Sequence, residues 1–170
     1  VGDAQITNAN IGTAQVDTLQ IAGEAVVVPR AQYNPNSVAI KGNGDRVKLF
    51  TVSLETIGNA VSISLGFERI YGSFNAESTS TYTFYIKLYR NGVETKSYKI
   101  LVSSIPSENL ITKHTINSQL LALPVLLDIP PSGVNVYEVY VSWGESSDSR
   151  SKDESIRVTG ASIQLLGVKR

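Results

Sequence analysis

The chain has 170 residues, 42% of them hydrophobic, with 15 basic side chains against 15 acidic and neither cysteine nor methionine. That length can bury one sizeable core and suits one compact domain with an appended segment. Balanced charge gives no electrostatic case for nucleic acid or an anionic membrane, the lack of cysteine excludes disulfides and thiolate metal sites, and no apolar run is long enough to cross a bilayer as a helix.

The chain opens on Val1 with no signal-peptide pattern behind it, and is expected to be a piece or a processed product of a longer protein. In residues 1–29 an aliphatic side chain returns at every fifth position: Ile6, Ile11, Val16, Ile21 and Val26. Gln5, Asn10, Gln15 and Gln20 sit just before four of them, and Ala4, Ala9, Ala14 and Leu19 come two places before. A spacing of five fits neither a helix face, nor a heptad seam, nor a strand. It predicts an extended, wound segment that turns its aliphatics toward one axis. Burying five aliphatics does not offset the ordering of some two dozen backbones, so partners must complete the core. Three copies winding around a shared axis, a homotrimer, is the favoured solution. A self-stacked pentapeptide β-helix needs about three or more coils, and a disordered linker leaves the strict beat unexplained.

Residues 30–36 hold Pro35, Asn34 and Asn36 directly behind Pro29, and predict a linker or ordered loop. From residue 37 to 170 the period becomes two, which predicts an antiparallel β-sandwich. Val47, Leu49, Thr51 and Ser53 alternate with Lys48, Phe50, Val52 and Leu54 after the turn residues Gly42, Asn43, Gly44 and Asp45. Val61, Ile63, Leu65 and Phe67 share the face of a second strand. Residues 73–80 read as a polar loop. Tyr82, Phe84, Ile86 and Leu88 then face inward, with Thr83, Tyr85 and Lys87 outward.

Asn91-Gly92 is the strongest turn signal in the chain. A three-residue loop through Arg90, pairing Tyr89 with Val93 and Phe84 with Tyr98, keeps apolar opposite apolar. It predicts a bulged hairpin with Gly92 at positive φ. The run Leu120-Leu-Ala-Leu-Pro-Val-Leu-Leu127 suits a buried strand interrupted by Pro124. Ile129-Pro-Pro-Ser-Gly133 is a turn, and Tyr137, Val139, Val141 and Trp143 line the next inner face. Residues 145–154 are serine-rich and charged, hence a loop, and residues 156–168 form the last strand with a bulge at Gly160. Some eight short strands point to an all-β sandwich of jelly-roll type.

The run Ala4-Gln-Ile-Thr-Asn-Ala-Asn-Ile-Gly-Thr-Ala-Gln-Val16, followed by Leu19-Gln-Ile-Ala-Gly-Glu-Ala-Val-Val-Val-Pro29, resembles the stretch before the last domain of tail-tip host-specificity proteins. These are the central tail-fibre proteins of lambda-like siphophages and prophages. The ending Gly160-Ala-Ser-Ile-Gln-Leu-Leu-Gly-Val-Lys-Arg170 is loosely similar to the way such chains terminate. About 130 residues between these ends match no family pattern. The resemblance implies a virion protein at the distal end of a phage tail, a homotrimer that binds a bacterial surface receptor: a polysaccharide, a pilus or an outer-membrane protein.

Catalysis finds little support. His114 is the single histidine and has no neighbouring carboxylate and nucleophile in sequence, so an ordinary surface or turn histidine is expected. Nothing in the spacing of Glu55, Glu68, Glu77, Glu94, Glu108 and Glu138 selects a carboxylate pair. Asp148, Asp153 and Glu154 lack the alternating ligands and glycine of a calcium loop. Neither a cofactor nor a metal is expected. Tyr85, Tyr89, Tyr98 and Tyr140 fall on outward parity, where they could stack on sugars, pair across strands or be covered by another copy. The expected receptor contacts are Ser73, Asn75 and Glu77 in one loop, Ser147, Asp148, Arg150 and Lys152 in the other, and Tyr85 and Tyr89 on the sheet. The alternatives are a carbohydrate-binding or polysaccharide-depolymerising module, and a purely structural fibre cap.

Overall fold

The computed structural model describes residues 26–41, 46–74, 81–103, 114–143 and 155–169. Every regular element among them is a strand: β1 (Val26–Asn34), β2 (Val38–Lys41), β3 (Arg46–Ile57), β4 (Val61–Phe74), β5 (Thr81–Arg90), β6 (Val93–Ser103), β7 (His114–Ala122), β8 (Leu126–Asp128), β9 (Ser132–Trp143) and β10 (Ser155–Lys169). One sheet runs β1-β10-β4-β7, with β2 also on β10 and β8 also on β4; the other runs β3-β9-β5-β6. All pairings are antiparallel and nested: β5 with β6, β4 with β7 and β8, β3 with β9, and β1 and β2 with β10. A long hairpin rolled up so that β10 meets β4 and β9 meets β5 is a jelly roll.

The core follows from alternation. Val61, Ile63, Leu65 and Phe67 of β4 and Ile163 and Leu165 of β10 face Phe84, Ile86 and Leu88 of β5 and Tyr137, Val139, Val141 and Trp143 of β9, all buried. The inner faces expected for β4 and β9, and for β5 from Phe84 to Leu88, are those observed; the Tyr82 side chain lies outside the described ones. In β3 a bulge at Leu49 shifts the register between Lys48 and Phe50, so that both Leu49 and Phe50 turn inward. Both lateral openings of the sandwich are tied by side chains: Gln32 Nε2 donates to the Thr51 carbonyl (3.1 Å), and Tyr98 Oη to the Pro124 carbonyl (3.3 Å).

Several expectations need correction. Residues 30–34 are not linker: they belong to β1, whose register with β10 runs from Val26 opposite Lys169 to Asn34 opposite Ala161. Pro29 is tolerated because β1 pairs on one side only, and the strand breaks only at residues 35–37 before β2 continues along β10. Ser73 lies in β4, paired with Thr115 and Ser155, rather than in a loop, and His114 opens β7 opposite Phe74.

The β5–β6 hairpin has a two-residue loop. Arg90 pairs with Val93, and Asn91 and Gly92 take φ of 50° and 81°, the type I′ pattern. The bulge sits at Thr95, whose Oγ1 donates to the Leu88 carbonyl, and it restores apolar opposite apolar: Ile86 faces Tyr98 and Phe84 faces Ile100. Tyr98 consequently packs against the core instead of facing out. The run around Pro124 is interrupted as expected but not buried throughout. Leu123 is buried, whereas Val125 and Leu127 are 60% and 69% exposed on the edge of the sheet. At Gly160 the parity changes without a slip against β4, because β4 switches parity opposite it, between Phe67 and Ile70.

Candidate functional site

Registers and short connections define two ends. Residues 58–60, 91–92 and 129–131 turn the chain at the end that carries Val26 and Lys169. At the opposite end Lys41, Phe74, His114 and Ser155 of one sheet lie with Arg46, Thr81, Ser103 and Trp143 of the other. The segments 42–45, 75–80, 104–113 and 144–154 therefore all begin and finish there. Asn75, Glu77, Ser147, Asp148, Arg150 and Lys152 belong to two of these segments and lie outside the described residues, as do Ile6, Ile11, Val16 and Ile21. Ser73 stands at the same end on β4, while Val26 opens β1 at the other.

The outer face of the four-stranded sheet holds Tyr85 and Tyr89, both half-buried. Rows across the sheet place Tyr85 beside Ser142, Lys87 beside Tyr140, and Tyr89 between Glu138 and Glu94. Tyr89 and Tyr140 meet edge to face with centroids 5.3 Å apart. The Arg46 guanidinium covers both rings, 3.8 Å from the Tyr140 centroid and 4.5 Å from that of Tyr89. Glu94 accepts from Lys87 Nζ (3.1 Å) and Tyr89 Oη (3.0 Å), and Lys48 Nζ donates to Glu138 (3.0 Å). The Lys87 bond, with the Tyr89 bond next, holds the Glu94 carboxyl below the usual carboxylate range, and the Glu138 bond raises the Lys48 ammonium. A carboxylate held ionised in this way is a poor general acid near neutral pH. Tyr89 has Tyr140 and Arg46 against its ring, and Lys87 Nζ lies 5.8 Å from the Tyr85 centroid, neighbours that suit sheet stabilisation better than sugar stacking.

The outer face of the other sheet carries a shallow groove of about 480 Å³ that sequence reasoning did not single out. Ala31 and Tyr33 of β1, Ser162 and Gln164 of β10, and Ser64 and Gly66 of β4 line it. Tyr33 is 56% exposed, and its hydroxyl donates to Glu68 Oε1 at 2.6 Å, which raises the phenol above its ordinary pKa. Glu68 reaches across Gly160, where a Cβ would come within 2.2 Å of the carboxyl carbon; Gly160 also has φ of +61°. Parity of β1 would have exposed Tyr33, but only if residues 30–34 had been read as strand.

At the end bearing Val26, a polar network locks the turns. Asn135 is 1% exposed; its Nδ2 donates to Thr56 Oγ1 (3.0 Å) and the Pro131 (2.9 Å) and Gly133 (3.2 Å) carbonyls, and its Oδ1 accepts from Asn91 (3.0 Å). Arg90 Nη1 donates to both Asp128 oxygens, 2.7 and 2.9 Å away, and Tyr137 Oη donates to Asp128 Oδ2 at 2.9 Å. Among the described residues no three His, Cys, Asp or Glu side chains gather as a metal site, and no helix is long and apolar enough to cross a membrane. Asp148, Asp153 and Glu154 fall outside those residues.

No protein-family model and no curated protein matches the chain. Solved structures of particles of infectious bursal disease virus do. The VP2 subviral particle matches over 82% of this chain and 33% of that one, at 11% identity and a TM-score of 0.43. The T=1 particles derived from the virus match over 82% and 32%, at 9% identity and a TM-score of 0.46. The chain spans about a third of the length of these proteins. The likeness is distant, and the jelly roll is assigned here from the strand order itself.

Proposed function

We propose that the chain is a receptor-contacting domain at the tip of a phage tail, a non-enzymatic homotrimer that attaches the virion to a bacterial surface. One observation carries this reading: the four longer connections, holding most of the expected contacts, all belong to the end opposite Val26, where the pentad segment enters. A stem at one end leaves the other free to meet a surface, and loops held by a rigid sandwich are the usual carriers of binding. The resemblance of residues 4–29, and loosely of the ending, to tail-tip host-specificity proteins supports reading a stem before Val26 and a bacterial host. Attachment is multivalent: three copies on one axis turn weak single contacts into firm adhesion.

The test is binding of the fluorescent full chain to a panel of bacterial strains by flow cytometry, beside the triple variant Asp148→Ala, Arg150→Ala, Lys152→Ala. The reading expects at least one strain to be stained and the variant to lose tenfold or more. No staining of any strain overturns it. Equal staining by the variant moves contact away from the 144–154 segment. The carbohydrate-binding alternative is favoured by the Tyr33 groove; its depolymerising form is not, because the groove has one carboxylate beside it where glycoside hydrolysis uses two.

A further inference from the structure

We propose that the Tyr33 groove is a saccharide-binding subsite that takes a neutral sugar residue of a bacterial surface glycan. Only the source of the glycan rests on the receptor reading above; the chemistry rests on the groove. Its volume, about 480 Å³, lies within the roughly 300–1,000 Å³ of small-molecule sites. Ala31, Ser64, Gly66 and Ser162 keep its floor low, so a flat ring can approach the sheet.

Tyr33 supplies the stacking platform. Tyr89 and Tyr140 lie under Arg46, the Arg69 guanidinium is 4.9 Å from the Tyr71 centroid, and Tyr98 packs against the core. Tyr33 is more than half exposed, and the bond from its hydroxyl to Glu68 fixes the ring's position. A phenol ring held in place offers an apolar face to the C–H face of a pyranose at little entropic cost.

Polar partners for the hydroxyls surround that platform. Gln164 offers an amide donor and acceptor, Ser64 offers a hydroxyl, Ser162 Oγ donates to the Gly66 carbonyl at 3.4 Å and keeps its acceptor lone pairs, and Glu68 keeps Oε2 while Oε1 serves Tyr33. Gly160 makes this arrangement possible, since any side chain there would displace the Glu68 carboxyl. The charge of Glu68 disfavours acidic sugars, hence the neutral class. Glu68 is the one carboxylate noted beside the groove among the described residues, which favours binding over glycoside cleavage by a carboxylate pair.

The experiment uses the full chain, fluorescently labelled, on an array of bacterial surface polysaccharides, with whole-cell staining in parallel. The expected result is binding to at least one neutral polysaccharide. Affinity falls tenfold or more in Tyr33→Ala and in Ser64→Lys, which fills the groove from β4 with β10 between it and Tyr33, and stays unchanged in Val93→Ser on the other sheet. An array on which nothing binds overturns the proposal, as does binding that both groove variants retain. A change of solution mass in Tyr33→Ala also overturns it, because the groove would then be an interface between copies. Cells stained with no polysaccharide bound would sink the subsite and leave the receptor reading standing. A Tyr33-dependent polysaccharide with no cell stained would do the reverse.

Discussion

The two ends of the sandwich are built on different terms. At the end of Val26 the strands turn within two or three residues, and Thr56, Asn91, Asn135, Arg90, Asp128 and Tyr137 satisfy one another and the turn carbonyls in a half-buried network. At the other end the strands are joined by the segments 42–45, 75–80, 104–113 and 144–154. A buried polar network is costly to disturb, so its residues are committed to folding. The comparison teaches where this fold is fixed: the end of Val26 is held by buried polar bonds, and the proposed receptor contact is assigned to the other.

The contrast is broken most severely by Asn135→Ala. Removing this buried amide strips partners from Thr56, Asn91 and two carbonyls at once, and about 3 kcal/mol of stability is expected to be lost, read by denaturant unfolding. The loop-end triple variant used for cell binding should shift stability by no more than about 0.5 kcal/mol in the same assay.

Tyr137→Phe sharpens the comparison through pH. Its hydroxyl donates to Asp128, and a bond to a charged group contributes about 1.5–3 kcal/mol. Burial first, and the Asp128 bond next, push the phenol above its ordinary value of 10.0. The folded state therefore favours the protonated form. Its contribution is complete below about pH 10 and is lost as pH rises toward the folded value. The stability gap between the wild type and Tyr137→Phe should be flat from pH 6 to 9 and narrow above about pH 10; a gap that widens there would contradict the assignment.

The smallest effect is expected at Arg46→Ala, which uncovers Tyr89 and Tyr140 on the solvent face. Exposed cation–π contacts contribute about 0.5–1 kcal/mol, so a loss of that order with cell staining unchanged is expected. Lost staining would instead make the outer face of this sheet part of the receptor surface.

Much of the sandwich was legible because its alternation is local. Val61 to Phe67, Phe84 to Leu88 and Tyr137 to Trp143 each show their inner face within a few residues, and Asn91-Gly92 marks its own turn. What escaped depends on partners far along the chain. Residues 30–34 look like linker beside Pro29 and Pro35, and become strand only because β10, some 130 positions later, supplies an edge. The hairpin bulge lies at Thr95 because the core selects parity, and a two-residue loop with a later bulge meets that demand as well as a longer loop. The candidate sites suffered the same way. Arg46 over Tyr140 and Glu68 on Tyr33 are contacts between strands separated in sequence, which no local pattern carries. The expected loop contacts were read from composition and lie outside the described residues, and what the topology adds is that the strands flanking their segments end together.

The central claim is that assembly at one end multiplies contact at the other. It is tested most directly by titrating cell staining with the full chain and with a chain beginning at Val26, which leaves β1 whole. The account predicts that removing residues 1–25 turns a trimer into a folded monomer and weakens apparent affinity at least 100-fold, as loss of multivalency does. Equal affinity for the two chains would contradict it.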